Sequence, residues 1–310
     1  MRGVRNTERG IEVVEFPDPD GDGVTVHVRS SGICGSDLHM LAYGPLPVIL
    51  GHEFAGTLDD GTAVAVDPSV PCGVCDQCES GAAHRCRTGT DRLLGVGADG
   101  GMAESVRVAP SALVPLGAVD PGVACLVEPL AVAVHGCRLA NVDADTRVAV
   151  VGAGAIGLAA VAAAGAHAGE VGLAARYDHQ HAAGERLGAA TLTTEYDVVV
   201  DAAGTEASLA QAAELCRPGG TVLFLSTHWS PVGIPGLTAM MNELDFRWSY
   251  TYGTDDHAHR DIDVAAALLA SDPSIAATMI THRFALDDAA EAFRVAADRS
   301  EGAIKVVLEP

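Results

Sequence analysis

Residues 147–160 read Arg147-Val-Ala-Val-Val-Gly152-Ala-Gly154-Ala-Ile-Gly157-Leu-Ala-Ala. Three glycines in the order G-x-G-x-x-G follow a run of β-branched residues and precede a run of helix formers. A lone match is weak, but the strand before it and the helix after it supply the context the motif needs. Gly152 makes the tight turn, Gly154 lets the backbone approach a pyrophosphate, and Gly157 lets helix and strand pack closely. The helix start at Ala155 and Ile156 then offers free amides and a favourable dipole to an anion. The stretch predicts a dinucleotide-binding βαβ unit. It also explains residues 148–169, which carry no Asp, Glu, Lys or Arg yet consist mostly of Ala and Gly. Those residues gain little on entering lipid, so no membrane span is expected.

Downstream, apolar runs at 171–175, 198–200 and 222–225 alternate with Ala-rich helical stretches. That alternation points to βαβ units and a doubly wound parallel sheet. The end of the second strand should read the adenosine ribose. An acid there binds the 2′-hydroxyl and selects NAD. Ala175-Arg176-Tyr177 stands there instead. A small residue leaves space for a 2′-phosphate, and Arg can meet it with a bidentate charged contact, which favours NADP. The competing reading uses Asp178 with NAD, and it requires the strand to run two or three residues longer.

Upstream, residues 1–118 look β-rich. Val24, Val26 and Val28 alternate with Thr25, His27 and Arg29, the period of a half-buried strand. Residues 63–66 read as a short buried strand, and Pro and Gly interrupt often between 17 and 47. Short strands with such breaks suggest a small β-barrel or sandwich. Near the other end, 287–298 look helical and 303–308 look like a closing strand. A chain of 310 residues suits two domains of about 150 residues each.

The net charge of −22 repels phosphate backbones and anionic membranes, so neither nucleic acid nor a membrane surface is an expected partner. The N-terminal MRGVRNTERGIE has no apolar run before its first acid, so no signal peptide is expected and a cytoplasmic location is. Eight cysteines in such a chain point to metal ligation or burial rather than disulfides.

Cys72, Cys75, Cys78 and Cys86 lie at spacings of three, three and eight. Four thiolates so spaced suit a tetrahedral Zn²⁺ site closed by one loop, with no open position and hence a structural role. A four-iron cluster is the other option for such spacings. Two further segments, Gly32-Ile-Cys34-Gly-Ser36-Asp37-Leu-His39 and Gly51-His52-Glu53, offer a thiolate, an imidazole and a carboxylate. Converging, they could hold a catalytic zinc that keeps one position for substrate. Ser36 and His39 lie beside Cys34 and could pass a proton outward. Each segment alone is weak. Cys125, Cys137 and Cys216 sit in apolar segments and read as buried thiols.

Taken in order, GICGSDLH (32–39), GHE (51–53), the cysteine quartet (72–86), DGGMAE (99–104), EPLAVAVH (128–135), VGAGAIG (151–157) and GAIKVVLEP (302–310) resemble the zinc-dependent medium-chain dehydrogenase/reductase family. The resemblance covers essentially the whole chain. It implies a GroES-like β-barrel catalytic domain over 1–120, completed by 281–310, with a Rossmann domain over 121–280 inserted before its last segment. The active site would lie in the cleft between them. Cys34 and His52 match the family's catalytic zinc ligands, and Glu128 matches the third ligand position. Glu53 matches a residue that enters or leaves the zinc shell. Ser36 and His39 match its proton relay, and Asp37 a residue that orients a ligand histidine. One departure stands out: only TLDDGT separates Gly56 from Ala63, where members usually carry a longer loop and strand. The barrel should be trimmed there with its activity intact.

The resemblance further implies hydride exchange between NADP, with NAD as the alternative, and an alcohol or its ketone or aldehyde. His39, Tyr43 and Glu128 suit a polyol, sugar or amino-alcohol, with 41–47 and 94–97 lining the pocket. The segment 228–235 could approach the nicotinamide, while Trp229 and Trp248 read as packing residues. Family members form homodimers or homotetramers, often through the last Rossmann strand, here near 248–252. The rival readings are a zinc-free reductase of activated double bonds on the same fold and a non-catalytic nucleotide-binding subunit. The second predicts damaged ligands or glycines, and none is seen.

Overall fold

In the computed structural model, which describes residues 1–255 and 257–310, a hairpin of β1 (Arg2–Thr7) and β2 (Gly10–Glu15) opens the chain. The predicted alternation then appears as β3 (Val24–Gly32), with Val26 and Val28 buried and His27 and Arg29 exposed. Antiparallel to it run β4 (Glu53–Thr57) and, on its other part, β6 (Ser105–Val108). The next neighbours are β5 (Ala63–Val66) and β7 (Leu113–Pro115). Val26, Val28, Phe54, Val64, Val66, Val106 and Val108 form the core between these strands. The shortened segment closes as a tight hairpin. The Leu58 N–H donates to Thr62 O at 2.9 Å, the Gly61 N–H to Leu58 O at 2.9 Å, and Gly61 takes φ +84°, which glycine adopts without strain.

The dinucleotide-type sheet holds β8 (Arg147–Val151), β9 (Glu170–Ala174), β10 (Tyr196–Asp201), β11 (Cys216–Phe224) and β12 (Asp245–Trp248). All pair in parallel, in the order β12-β11-β10-β8-β9. A six-stranded doubly wound sheet runs 3-2-1-4-5-6. Here the third strand is reduced to one bridge, Gly172 to Ala190. The reason is length. Residues 187–195, between the helix Asp178–Arg186 and β10, are too few for a strand and a return helix, which need about ten to twelve. The helix Ala155–Gly165 is almost wholly buried, and its alanines let it lie close on the sheet.

The C-terminal segment adds β13 (Ile280–Ala285) and β14 (Lys305–Glu309), parallel to each other, with β14 antiparallel to β3. The helix Ala289–Ala297 connects them and buries Ala289, Ala292, Phe293 and Val295 against Val4, Leu50, Met102 and Leu308. Two compact units result. The first comprises Met1–Glu128, Gly253–Ala276 and Ile280–Pro310, and the second Pro129–Tyr252 and Ala277–Met279. The first unit thus takes in 121–128 and 253–276, which the sequence pattern assigns to the Rossmann segment. Arg260 ties the latter stretch down: its guanidinium donates to Ser111 O at 2.9 Å and Leu113 O at 3.1 Å and pairs with Asp263 at 2.7 Å. Among the described residues no helix is long and apolar enough to cross a membrane.

Candidate active site

Gly32 ends β3 and Glu53 opens β4, and the two are partners in the antiparallel register. That pairing lays GICGSDLH beside GHE. Cys34 Sγ, a ring nitrogen of His52 and a carboxylate oxygen of Glu53 all lie within 4.8 Å of one another. Cys34 is half-buried, His52 buried and Glu53 fully buried. A thiolate, an imidazole and a carboxylate at that separation are the donor set of a zinc site with a position left open.

Asp37 supports the group from behind. Its fully buried carboxylate accepts the Cys34 N–H at Oδ2, 2.9 Å, and its Oδ1 lies 3.4 Å from His52 Nδ1. The other imidazole nitrogen, Nε2, lies 3.3 Å from Ser36 Oγ. Burial works against charge on His52, but Asp37 and Cys34 outweigh it and hold the imidazole well above its ordinary pKa. His39 is exposed, with Nδ1 2.8 Å from Gly35 O. Ser36 and His39 therefore occupy half-buried and exposed positions on the helix Gly35–Met40 that follows Cys34.

Glu53 has a partner that the sequence does not announce. Lys305 on β14 reaches both its oxygens, at 2.8 Å and 2.6 Å, and donates to Ile33 O at 3.1 Å. Both side chains are sealed from water. Burial disfavours the ammonium, but the charge of Glu53 overrides it and raises the Lys305 pKa. A methyl group on Gly32 would strike the Glu53 carboxylate, so that glycine is the floor on which the pair rests. Lys305 lies in GAIKVVLEP, one of the stretches that carry the resemblance, and is the single lysine of the chain, but neither fact names Glu53 as its partner. Glu128, near the start of the helix Val127–Leu139, lies outside the close donor group formed by Cys34, His52 and Glu53. Burial pushes its carboxyl up to about 8, against the opposing pull of His52.

The quartet comes together within one loop. Sulfur separations are 3.9 Å for Cys72–Cys78, 3.5 Å for Cys75–Cys78 and 4.0 Å for Cys75–Cys86. Four sulfurs at about 2.3 Å from a common centre sit about 3.8 Å apart, so the arrangement fits tetrahedral zinc. It is far from the about 2.05 Å of a disulfide. Backbone hydrogen bonds from Cys72 and Thr88 pull the Cys86 thiol down to about 6, which favours the ligating thiolate.

In the second unit Gly152 takes φ +101° against Ala203, and a methyl on Gly157 would collide with the Gly152 carbonyl. A methyl on Gly154 would point into open space, with no other side chain or distant backbone within 4 Å, which leaves a cradle there. The N–H groups of Ala155, Ile156 and Gly157 precede the helix's first backbone bond, Leu158 N–H to Gly154 O at 2.9 Å. Amides so placed face an anion. The strand β9 stops at Ala174 and Asp178 opens the following helix, so the strand does not extend to that acid. Arg176 is exposed, with its guanidinium 5.5 Å from the centre of the half-buried Tyr177 ring.

Other expectations fare unevenly. Cys125, Cys137 and Cys216 are buried. Tyr43 is 70% exposed, and Trp229 and Trp248 are 39% and 55% exposed rather than enclosed. Trp248 stacks on Phe224 with ring centres 4.3 Å apart.

A five-stranded dinucleotide-type unit and a β-rich unit with a Cys-His-Glu centre and a closed thiolate loop define a metal-binding nicotinamide oxidoreductase. Comparison with known proteins narrows this. Residues 20–118 match the family described as alcohol dehydrogenase GroES-like domain, and 148–270 the family described as zinc-binding dehydrogenase. L-galactonate-5-dehydrogenase of Escherichia coli K12 is 30% identical over 90% of this chain and 89% of its own. L-arabinitol 4-dehydrogenase of Aureobasidium melanogenum is 30% identical over 99% and 92%. A structure from Sinorhizobium meliloti 1021 bound to NADP superposes with a TM-score of 0.89 at 30% identity, covering 100% of this chain and 99% of that one. The chain belongs to the zinc-dependent medium-chain dehydrogenase/reductase family and is an alcohol dehydrogenase of that family.

Proposed function

We propose that this enzyme interconverts a polyol or sugar alcohol and its ketone or aldehyde with NADP, around a zinc ion held by Cys34, His52 and Glu53. The observation that carries the reading is the convergence of those three donors, with Asp37 fixing the ring of His52 from behind. The polyol class rests on relatives named for galactonate and arabinitol. NADP rests on Arg176 following a strand that stops short of Asp178 and on the related structure bound to NADP.

When bound, the metal supplies Lewis-acid polarisation of a substrate oxygen and the dinucleotide supplies the hydride acceptor. Ser36, against His52, accepts the proton that the alcohol gives up, and His39 on the exposed end of the same helix passes it to water. Glu53, shared with Lys305, is the displaceable member of the donor set, and Glu128 holds a substrate hydroxyl. Cys72, Cys75, Cys78 and Cys86 hold a second zinc with no catalytic part. Gly152, Gly154, Ala155, Ile156 and Gly157 bind the pyrophosphate, and Ala175, Arg176 and Tyr177 the 2′-phosphate.

The enzyme acts in the cytoplasm as a homodimer or homotetramer. Two copies pair through β12, an edge strand that ends on exposed Trp248, is followed by exposed Tyr250 and is preceded by a helix with exposed Leu237, Met240 and Met241. Sedimentation giving a monomer mass would remove this part.

The test is turnover with NADP⁺ or NAD⁺ against polyols, sugars, amino-alcohols and simple alcohols, on protein of measured zinc content. NADP⁺-dependent oxidation of polyols with two zinc ions per chain is expected. A preference for NAD⁺ would overturn the role of Arg176. Silence with only one zinc bound would favour the zinc-free reductase.

A further inference from the structure

The segment that leads into the helix Val127–Leu139 is fastened to the β-rich unit by side chains that the metal chemistry does not use. In β3 the pairing with β4 slips between Val28 and Ser30, which leaves Arg29 bulged. Beyond the bulge Ser30 and Ser31 are both fully buried. Bulges collect beside active sites, where they re-aim a side chain. This one falls just before Gly32, the partner of Glu53.

The Ser30 hydroxyl reaches out of its own sheet. It donates to Pro121 O at 2.6 Å and accepts the Cys125 N–H at 3.2 Å. Arg283 on β13 donates to Gly122 O at 2.9 Å and is held in turn by Glu309 at 2.6 Å. Backbone atoms of Pro121, Gly122 and Cys125 are thus fixed from two strands. Ala124, Cys125, Leu126 and Val127 are fully buried behind them.

The chain then reaches Glu128. The first compact unit ends at this residue, although its helix runs on into the second. Glu128 therefore groups with the unit that carries Cys34, His52 and Glu53. Burial acts most strongly on its carboxyl, and the charges of His52, Glu53 and Lys305 act on it as well. A helix turns about 100° per residue, so where its first residues are fastened decides which way Glu128 points.

We propose that Ser30, with Arg283 as a second support, is a positioning residue for Glu128. It fixes the start of the helix so that the carboxylate stands beside the donor group of Cys34, His52 and Glu53. The inference rests on the reading of Glu128 as a group that holds substrate.

The experiment is a double-substitution cycle on the zinc-loaded enzyme, with a crystal structure of Ser30→Ala. That variant should lower kcat/KM for the best polyol about tenfold, the scale of one hydrogen bond, mainly through KM. In a Glu128→Gln background the same change should cost almost nothing, because the group it places is already gone. Arg283→Met should act in the same direction and more weakly. The crystal structure should show residues 121–128 displaced from β3, with Cys34, His52 and Glu53 in place. An equal loss in both backgrounds would show that Ser30 only supports the fold and would overturn the proposal, as would a structure with Glu128 unmoved. If Glu128→Gln alone leaves kcat/KM unchanged, or no polyol turns over, the substrate reading fails, and the position of Glu128 in the Ser30→Ala crystal structure still decides whether Ser30 places it.

Discussion

The two candidate metal centres of this enzyme are built in opposite ways. Cys72, Cys75, Cys78 and Cys86 come from one surface loop, with all four cysteines half-exposed and the sulfurs gathered by short turns. Cys34, His52 and Glu53 come from two segments that only strand pairing brings together, and Lys305 from the far end of the chain completes their surroundings. The loop centre is self-contained and matches its donors to a closed shell. The strand centre has a donor shared with an ammonium and polar neighbours to spare. A site for chemistry needs a position that can open, and under the proposed function the shared carboxylate is the member that would open it. The contrast predicts that damage to one centre is read in turnover and damage to the other in stability.

The largest effect expected is on Cys34→Ser, which should lower kcat/KM by about a thousandfold or more, equivalent to roughly 4 kcal/mol. Zinc analysis should show loss of one ion per chain with little change in melting temperature. If the variant instead loses its fold and keeps the activity per folded molecule, the two centres have been assigned in reverse. Lys305→Met comes next. Removing one member of a buried pair costs about 3–5 kcal/mol, because Glu53 is left as a buried unpaired charge. Zinc binding offsets part of that cost, so the variant's loss of stability, measured by denaturant titration, should be smaller with metal than after chelation. Equal losses in both conditions would show that Glu53 does not reach the metal.

Cys75→Ser should act mainly on stability, lowering the melting point by on the order of 10 °C, with kcat near normal well below that temperature. A parallel loss of kcat there would mean the loop also shapes the active site. The mildest change concerns Glu128. Burial pushes its carboxyl up to about 8, above the unfolded carboxylate. In metal-free protein the folded state therefore holds a proton that the unfolded state has released. Its contribution to stability is full below about pH 4.5 and is lost as pH rises to about 8. Denaturation of the chelated protein across that window should show a flatter pH slope for Glu128→Gln.

What could be read in the sequence follows the same contrast. The quartet was legible because spacing alone brings its sulfurs together. The glycine loop was legible because a strand and a helix flank it on either side. The other centre needed the register of Gly32 with Glu53, which no local pattern displays, so its donor types could be named from the residues but their convergence rested on the resemblance. Lys305 was hidden for the same reason, its partner lying most of the chain away. The missing third Rossmann strand escaped notice because it is an absence between two intact motifs, and only the bridge at Ala190 marks where it would stand. The exposed faces of Trp229 and Trp248 escaped notice because composition does not tell which side of an edge strand meets water.

Lys305 is the only ε-amino group in the chain, and the fold seals it at 2% exposure. Aldehydes and ketones condense with lysine amines, and an enzyme that makes or consumes carbonyl compounds lives among them. This one shows them guanidinium and imidazole groups and no side-chain amine. Reducing sugars and amine-reactive dyes alike would leave the folded side chains unmarked, and a label on Lys305 would count the molecules that have come apart.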